Sequence, residues 1–356
     1  MADRFRVAIV GLGIGGAHAD GFRRLPDHFQ VVAVADLDPA RVEMISGWLE
    51  CDGLTTLDEV CARDDVDIVS VATPPFLHFD QIGRTLAAGK HVIAEKPLVG
   101  SVAEVDELAR LEQQSGRRVM PVMQYRFGRG LQRLRLLVDE GVAGRVNVSS
   151  VDLAWRRRPE YYDVPWRGAA ATELGGVLLS HAIHLIDMLT YVVGPVRRVF
   201  ARTTTRVNRI ETEDCASVSF EMADGSLATL SATLGSPAET TRHRFSFEHL
   251  SAESNAAAYE NHRDPWNFTG DSPDVDERIA ATLDRFDPRP ELYKGQFLRF
   301  HEAITTGHEL PVTLADARAV LEVVTAAYMS AATGSDVDVA VGPDHPAYHG
   351  WGTAGP

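Results

Sequence analysis

The stretch Val7-Ala8-Ile9-Val10-Gly11-Leu12-Gly13-Ile14-Gly15-Gly16 decides how the chain is read. A short apolar run, Arg6–Val10, ends directly at a G-x-G-x-x-G cluster, and a candidate helix follows. Alone, three glycines at that spacing are a weak signal. Between a strand and a helix they have a mechanism. They allow the tight turn and let a pyrophosphate approach backbone N–H groups at a helix N-terminus. The next apolar run, Val31–Ala35, ends at Asp36. A carboxylate there hydrogen-bonds the ribose hydroxyls of an adenosine and repels a 2′-phosphate. The expected dinucleotide is therefore NAD, held by Gly11, Gly13, Ile14, Gly16 and Asp36. Arg41, a turn further on, leaves NADP open as the alternative.

Outward from this turn the same rhythm repeats. Apolar strand runs at Asp67–Ala72, His91–Ala94 and Arg118–Val122 alternate with amphipathic stretches at Arg41–Leu49, Gln81–Ala88 and Val102–Gln114. Strands alternating with helices predict βαβ units and a doubly wound parallel sheet, an α/β fold, over residues 1–122. Beyond it the pattern changes. Leu131–Glu140 reads as a helix, Arg145–Leu153 as a strand and Gly176–Val193 as one helix of about five turns, stopped by Gly194-Pro195. Strand-like runs follow at Val196–Thr204, Cys215–Met222, Ser226–Leu234 and Arg242–Phe247. They predict an antiparallel or mixed sheet, and so an α+β domain over residues 123–356. Residues 251–290 read as a long irregular excursion, and two helices, Leu292–Thr305 and Leu314–Ala332, close the chain.

In doubly wound sheets ligands bind beyond the carboxyl ends of the strands. Here those ends carry Thr73-Pro74-Pro75 with His78, Glu95-Lys96-Pro97, and Gln124-Tyr125-Arg126. Thr73, Pro74, His78 and Glu95 are expected to line the cofactor. Lys96 ends a buried strand, where a cation can stabilise an alkoxide. A surface salt bridge is the plain alternative. The long helix supplies Ser180, His184 and Asp187 on one face by their spacing of three and four, with His181 alongside. Histidine is the usual general base near neutral pH. The His181-x-x-His184 pair lacks a third ligand, so no metal is expected. Arg156-Arg157-Arg158 reads as a solvated loop, the alternative being contact with a phosphorylated or nucleotide-linked sugar.

Composition narrows the classes. The 356 residues carry 35 Lys and Arg against 50 Asp and Glu, a net charge of −15, with 45% hydrophobic residues. Such a chain fills a core, and its field does not attract nucleic acid or anionic membranes. Cys51, Cys61 and Cys215 form no CxxC, and no apolar run reaches the length of a membrane span. The expectation is a cytoplasmic protein with free thiols. The aromatic run His345–Trp351 is expected to pack rather than dangle.

The motifs, taken in order, resemble the glucose–fructose oxidoreductase / inositol dehydrogenase / MocA family. They are the glycine turn, Asp36-Leu-Asp-Pro, Ala72-Thr-Pro-Pro75, Ala94-Glu-Lys-Pro97, Gln124-Tyr-Arg126, Trp166-Arg167 and Gly175-Gly176…His184-x-x-Asp187. The resemblance spans nearly the whole chain. It implies a Rossmann domain followed by a large, mainly antiparallel open sheet, through which such proteins often form dimers or tetramers. It implies a nicotinamide cofactor and a sugar, cyclitol or glycoside whose secondary alcohol exchanges a hydride with it. Lys96 and His184 would be catalytic. Arg126, Trp166 and Arg167 would join the cofactor contacts, and Tyr125, Ser180 and His181 the substrate contacts. One departure stands out: many relatives carry Asp where this chain has Ser180. Two other readings follow from the resemblance, cleavage of a glycoside with catalytic use of NAD, and nucleotide sensing without catalysis.

Overall fold

The computed structural model describes residues 4–351. Two compact units emerge, Met1–Gln124 with Pro290–Arg318, and Tyr125–Arg289 with Ala319–Pro356. In the first unit the elements run β1 (Phe5–Val10), α1 (Gly15–Arg23), β2 (Phe29–Ala35), α2 (Pro39–Leu49), β3 (Asp52–Leu54), α3 (Leu57–Cys61), β4 (Ile68–Val71), α4 (His78–Ala87), β5 (His91–Ala94), α5 (Val102–Ser115) and β6 (Val119–Pro121). The strands form one parallel sheet in the order β3-β2-β1-β4-β5-β6. The order reverses between β1 and β4, so a crevice opens at the carboxyl ends of those two strands. Val7, Ile9, Ile68, Val69, Val92 and Ile93 are fully buried, as a sheet covered on both faces requires. Helix starts follow local chemistry. Asp38 caps α2 by accepting from Ala40 N–H, and Thr56 and Glu59 form a reciprocal cap on α3.

The second unit contains α6 (Arg129–Asp139), β7 (Val146–Arg156), α7 (Ala170–Glu173), a π-type turn at Val177–His181, α8 (Ile183–Val193), β8 (Val196–Thr204), β9 (Cys215–Met222), β10 (Leu227–Thr233), β11 (Gly235–Phe247), β12 (Leu250–Glu253), β13 (Asn267–Gly270) and α9 (Pro273–Asp284). The chain then runs through α10 (Leu292–Thr306) and α11 (Leu314–Thr333) to β14 (Val337–Asp338). Eight strands form one sheet in the order β13-β12-β11-β7-β10-β9-β8-β14, with β7 and β10 its parallel pair. Burial alternates along β9 and β10, so one face meets the core and the other is open.

Three expectations change. The sequence reading places everything beyond residue 122 together, whereas Pro290–Arg318 packs in the first unit. The reason is aromatic: Phe297 on α10 stacks on Phe22 of α1, with centroids 4.2 Å apart. Gly21 permits that approach, since a Cβ there would lie 2.9 Å from the Phe297 ring. The excursion at 251–290 is not irregular, because β12, β13 and α9 extend the sheet edge and cover it. Gly176–Val193 is not one helix. The chain bends there, the segments Ala170–His181 and Ile183–Val193 meeting at 48°. Ala182 N–H reaches back five residues to Val177 O because the preceding turn is held from outside, by Glu213 accepting from Gly176 and Leu178 N–H.

No single helix among the described residues is long and apolar enough to cross a membrane. The bent pair passes that test by length and composition only, and its apolar residues from Val177 to Leu189 are buried. The three cysteines are free. Trp351 packs on Tyr328 and donates to Leu174 O at 3.1 Å.

Two buried histidines make the second unit acid-sensitive. His243 donates from Nε2 to Leu185 O at 3.0 Å and accepts from Asn261 at Nδ1, 2.8 Å. Burial holds its pKa down at about 4 and that of His262 down at about 3. An unfolded chain takes up these protons near the ordinary pKa of about 6.5. Below that pH the unfolded state binds more protons, so stability falls as pH falls toward 4, by about 1.4 kcal/mol per pH unit for each histidine. Urea unfolding followed at pH 7.5 and pH 5 should show a lower midpoint at pH 5. His243→Gln should flatten that dependence, and an unchanged slope would remove His243 from the account.

Candidate active site

In the first unit the glycine turn sits where β1 ends. Gly11 N–H donates to Ala35 O at 2.8 Å, holding the turn against β2. Gly11 has φ +88°, and a Cβ there would lie 2.6 Å from Ala72 O, so only glycine fits this crossing. Asp36 is half-buried and accepts from Leu12 N–H at 2.5 Å and from Asp38 N–H at 2.9 Å. The carboxylate is thereby fixed beside the turn with lone pairs to spare. Among the described residues, the N–H groups of Gly13 and Ile14 have no hydrogen-bond partner, and both residues are exposed at the start of α1. Gly16 lies inside α1. Ile14, Leu37 and Phe76 are exposed apolar side chains, Leu37 by 84%. Open N–H donors, a fixed carboxylate and uncovered apolar side chains match the pyrophosphate, ribose and adenine of a dinucleotide. These residues fit that group.

The other strand ends behave differently. Thr73 and Pro74 are half-buried, and Thr73 Oγ1 donates to Gln81 at 2.6 Å. His78 is fully buried, with Nε2 2.8 Å from Thr73 O and Nδ1 3.0 Å from Pro97 O. Burial lowers its pKa, and the neutral ring this favours has one N–H, which it donates to one of these two carbonyls. Glu95 is 4% exposed and faces inward. As a carboxylate it accepts from His18 Nε2 (3.0 Å), Tyr293 Oη (2.9 Å) and Lys96 N–H (3.0 Å). His18 Nδ1 lies 2.6 Å from Ser70 Oγ, and Gln124 donates to Tyr293 Oη at 3.2 Å. This network sets the backbone at Lys96, whose side chain is half-buried. Sequence reasoning missed His18, Ser70 and Tyr293. His18 carried a faint signal as a polar residue on the apolar side of α1, next to Ala19 and Phe22. Tyr293, 198 residues from Glu95, carried none.

In the second unit Tyr125 lies between two imidazoles, stacked on His184 at 4.5 Å and on His262 at 4.4 Å. Burial pushes the Tyr125 phenol up to about 12, so it stays protonated. Arg126, expected beside the cofactor, is 7% exposed and engaged with Asp187, with Nε 3.1 Å from Oδ2 and a second bond from Nη2 to Oδ1. Its guanidinium also lies over the Tyr191 ring at 4.9 Å. Ser180, His184 and Asp187 therefore go separate ways. Asp187 meets Arg126, His184 meets Tyr125, and Ser180 lies 2.7 Å from His181 Nδ1. Among the described residues no group of three or more His, Cys, Asp or Glu could hold a metal ion.

The arginine run is not a uniformly solvated loop. Arg156 and Arg158 are exposed, but Arg157 is half-buried among the rings of Trp155, Tyr161 and Tyr259, at 5.3, 4.7 and 5.4 Å. Its Nε donates to His181 Nε2 at 3.2 Å. Trp166 and Arg167 are half-buried, with Arg167 over Tyr161 at 3.9 Å and over Trp166 at 4.4 Å.

Residues 5–123 match the model of an oxidoreductase family with an NAD-binding Rossmann fold, and residues 131–252 match the GFO/IDH/MocA C-terminal domain. The chain belongs to the Gfo/Idh/MocA oxidoreductase family. It is 28% identical to inositol 2-dehydrogenase of Rhizobium meliloti over 349 residues, covering 94% of this chain and 99% of that protein. It is 32% identical to 2,7-anhydro-N-acetylneuraminate hydratase of Mediterraneibacter gnavus over 188 residues, 52% of this chain and 49% of that one. The chain thus spans 49% to 62% of the length of some curated relatives it matches. Among solved structures it resembles the WlbA dehydrogenase of Chromobacterium violaceum in complex with NADH and UDP-GlcNAcA. That likeness has a TM-score of 0.84 and 27% identity, over 96% of this chain and 98% of that one.

The Arg126–Asp187 pair gives a direct test of what holds this family member's second unit together. Arg126→Met leaves the Asp187 carboxylate buried without its cation, and should cost about 3–5 kcal/mol. Adding Asp187→Leu should return much of that loss. Chemical denaturation of both variants decides it, and a single variant as stable as the wild type would show the pair to be dispensable.

Proposed function

We propose that this family member is an NAD-dependent dehydrogenase acting on a secondary alcohol of a sugar, cyclitol or glycoside. The observation that carries the reading is Asp36, held by Leu12 N–H beside the open N–H groups of the glycine turn. When bound, NAD supplies the hydride acceptor at C4 of its nicotinamide ring. The chain's own residues do the rest. Gly11, Gly13 and Gly16 keep the turn free of side chains, and α1 presents its N-terminus to the pyrophosphate. Asp36 accepts the ribose hydroxyls and disfavours a 2′-phosphate. His184 takes the proton of the substrate hydroxyl, and Lys96 stabilises the oxyanion left behind. Thr73, Pro74, Trp166 and Arg167 line the cofactor in this reading, and Tyr125, Ser180 and His181 the substrate. The inositol dehydrogenase matched along nearly its full length supports the substrate class.

The hydratase among the relatives favours one other reading. Hydration of a sugar anhydride changes no net oxidation state, so a chain of this kind would turn over without NADH accumulating. The open face of the eight-stranded sheet is where a homodimer or homotetramer would form. The free thiols suit a reducing cytoplasm.

A panel of polyols, hexoses and glycosides scored at 340 nm separates these readings. Dehydrogenase action gives NADH with at least one secondary alcohol. Cleavage or hydration gives product without NADH. His184→Ala should lower turnover by about 10²–10⁴-fold while NAD affinity stays within error of the wild type. Near-normal turnover would remove His184 from the role. Separate titrations with NAD and NADP test Asp36, and tighter NADP binding would overturn its assignment.

A further inference from the structure

Arg157 itself has no part in the chemistry described so far, and it sets the proton positions of the His181 ring beside it. A guanidinium only donates, so His181 Nε2, 3.2 Å from Arg157 Nε, must accept. The neutral ring then carries its proton on Nδ1 and donates to Ser180 Oγ at 2.7 Å. Ser180 sends its own proton to Gly176 O, also at 2.7 Å. His181 is thus held as a neutral ring, and Ser180 is fixed as an acceptor from it. With serine at this position, neither group supplies a negative charge.

Two cations remain. Arg157 and Arg167 stand over the same Tyr161 ring, at 4.7 and 3.9 Å. Arg157 also donates to Tyr259 Oη at 2.6 Å, and Arg167 to Tyr161 Oη. Among the described residues neither guanidinium forms an ion pair with an acid. The acids that act on them are engaged elsewhere. Glu239 accepts from Tyr259 Oη and Arg156 N–H, both at 2.7 Å, and Glu173 accepts from Gly168 N–H at 2.5 Å. Nη2 of Arg157, and Nε and Nη2 of Arg167, have no partner among the described residues. Burial pulls the Arg167 pKa down, the Glu173 charge offsets part of that, and the Arg157 charge adds to the lowering. Stacked guanidiniums keep their edges open, and those edges match the two oxygens of a carboxylate or phosphate.

We propose that the Arg157–Arg167–Tyr161 cluster, braced by His181 and Ser180, binds an anionic oxygen group on the substrate, which makes the substrate an acidic sugar. The inference rests on the dehydrogenase reading above and narrows it. A hexuronate carboxylate, a sugar phosphate and the pyrophosphate of the cofactor share this chemistry, and the test separates them.

The protein saturated with NAD is titrated with D-glucuronate, D-galacturonate, glucose 6-phosphate and UDP-glucuronate. Each is paired with its neutral-sugar counterpart (D-glucose, D-galactose, D-glucose and UDP-glucose) and followed by calorimetry. At least one acid should bind about 10- to 100-fold more tightly than its counterpart. The pair that shows the gap identifies carboxylate or phosphate. Arg157→Gln should erase the gap and Arg157→Lys should restore part of it, while NAD affinity, titrated separately, stays within twofold. If no acid outbinds its neutral counterpart, or if Arg157→Gln weakens NAD instead, the proposal is overturned. Its failure is distinct from that of the dehydrogenase reading. NADH formation with neutral sugars alone would sink this proposal and keep that reading. Acid-selective binding with no NAD reduction by any sugar would do the reverse.

Discussion

The buried Glu95 carboxylate is the interaction on which the working edge of the first unit depends. A carboxylate taken out of water survives only if donors replace its hydration. Three elements supply them: α1 through His18, α10 through Tyr293, and the chain itself through Lys96 N–H. Because α10 provides one donor, the Rossmann unit is incomplete without the segment that returns at Pro290. The stack of Phe297 on Phe22 brings α10 to α1, and the hydrogen bond from Tyr293 fixes its register there. The backbone position of Lys96 follows from that register.

The second unit solves a similar problem with a different balance. Glu213 is buried and accepts from two N–H groups and from Tyr328 Oη at 2.9 Å, yet burial outweighs these donors and lifts its pKa to about 7. Among the described residues no cation forms an ion pair with it. Asp187 has Arg126 instead. The difference matters for shape. Glu213 holds the turn at Gly176–Leu178 and so breaks the helix, while Asp187 and Arg126 bind the end of the bent segment to the start of the unit. The wide turn between them carries His181, whose Nε2 accepts from Arg157, and Ser180, which lies against the other ring nitrogen.

What the sequence made legible follows from the range of each interaction. The parallel sheet and the glycine turn were readable because strand, turn and acid lie within a few dozen residues. β3 escaped because an edge strand of three residues, Asp52–Leu54, has no buried face to set a period. β13 escaped for a similar reason, its four residues being half-buried or exposed. The helix break at Val177–His181 was invisible because Glu213, which causes it, lies more than thirty residues on. At the site, the residue types at the strand ends were readable and their orientations were not. Glu95 and His78 turn inward, and Arg126 is taken up by Asp187. Arg157 gained its aromatic surroundings from Tyr259, 102 residues away.

The net charge of −15 also changes meaning once positions are known. A long-range field of that sign repels an anionic dinucleotide or an acidic sugar, but salt screens it beyond about 8–10 Å. Capture must therefore come from donors acting at contact distance. Arg126, expected from the resemblance beside the cofactor, is buried and paired with Asp187, so it contributes almost no field. The donors left for an anion are of another kind: the open N–H groups of Gly13 and Ile14 in one unit, and the edges of Arg157 and Arg167 in the other. Both are directional, and the acids nearest them are already held by other donors, Asp36 by Leu12 and Asp38 N–H, Glu239 by Tyr259 and Arg156 N–H, and Glu173 by Gly168 N–H. That is the arrangement an acidic protein needs if it is to select anions by geometry rather than collect them by charge.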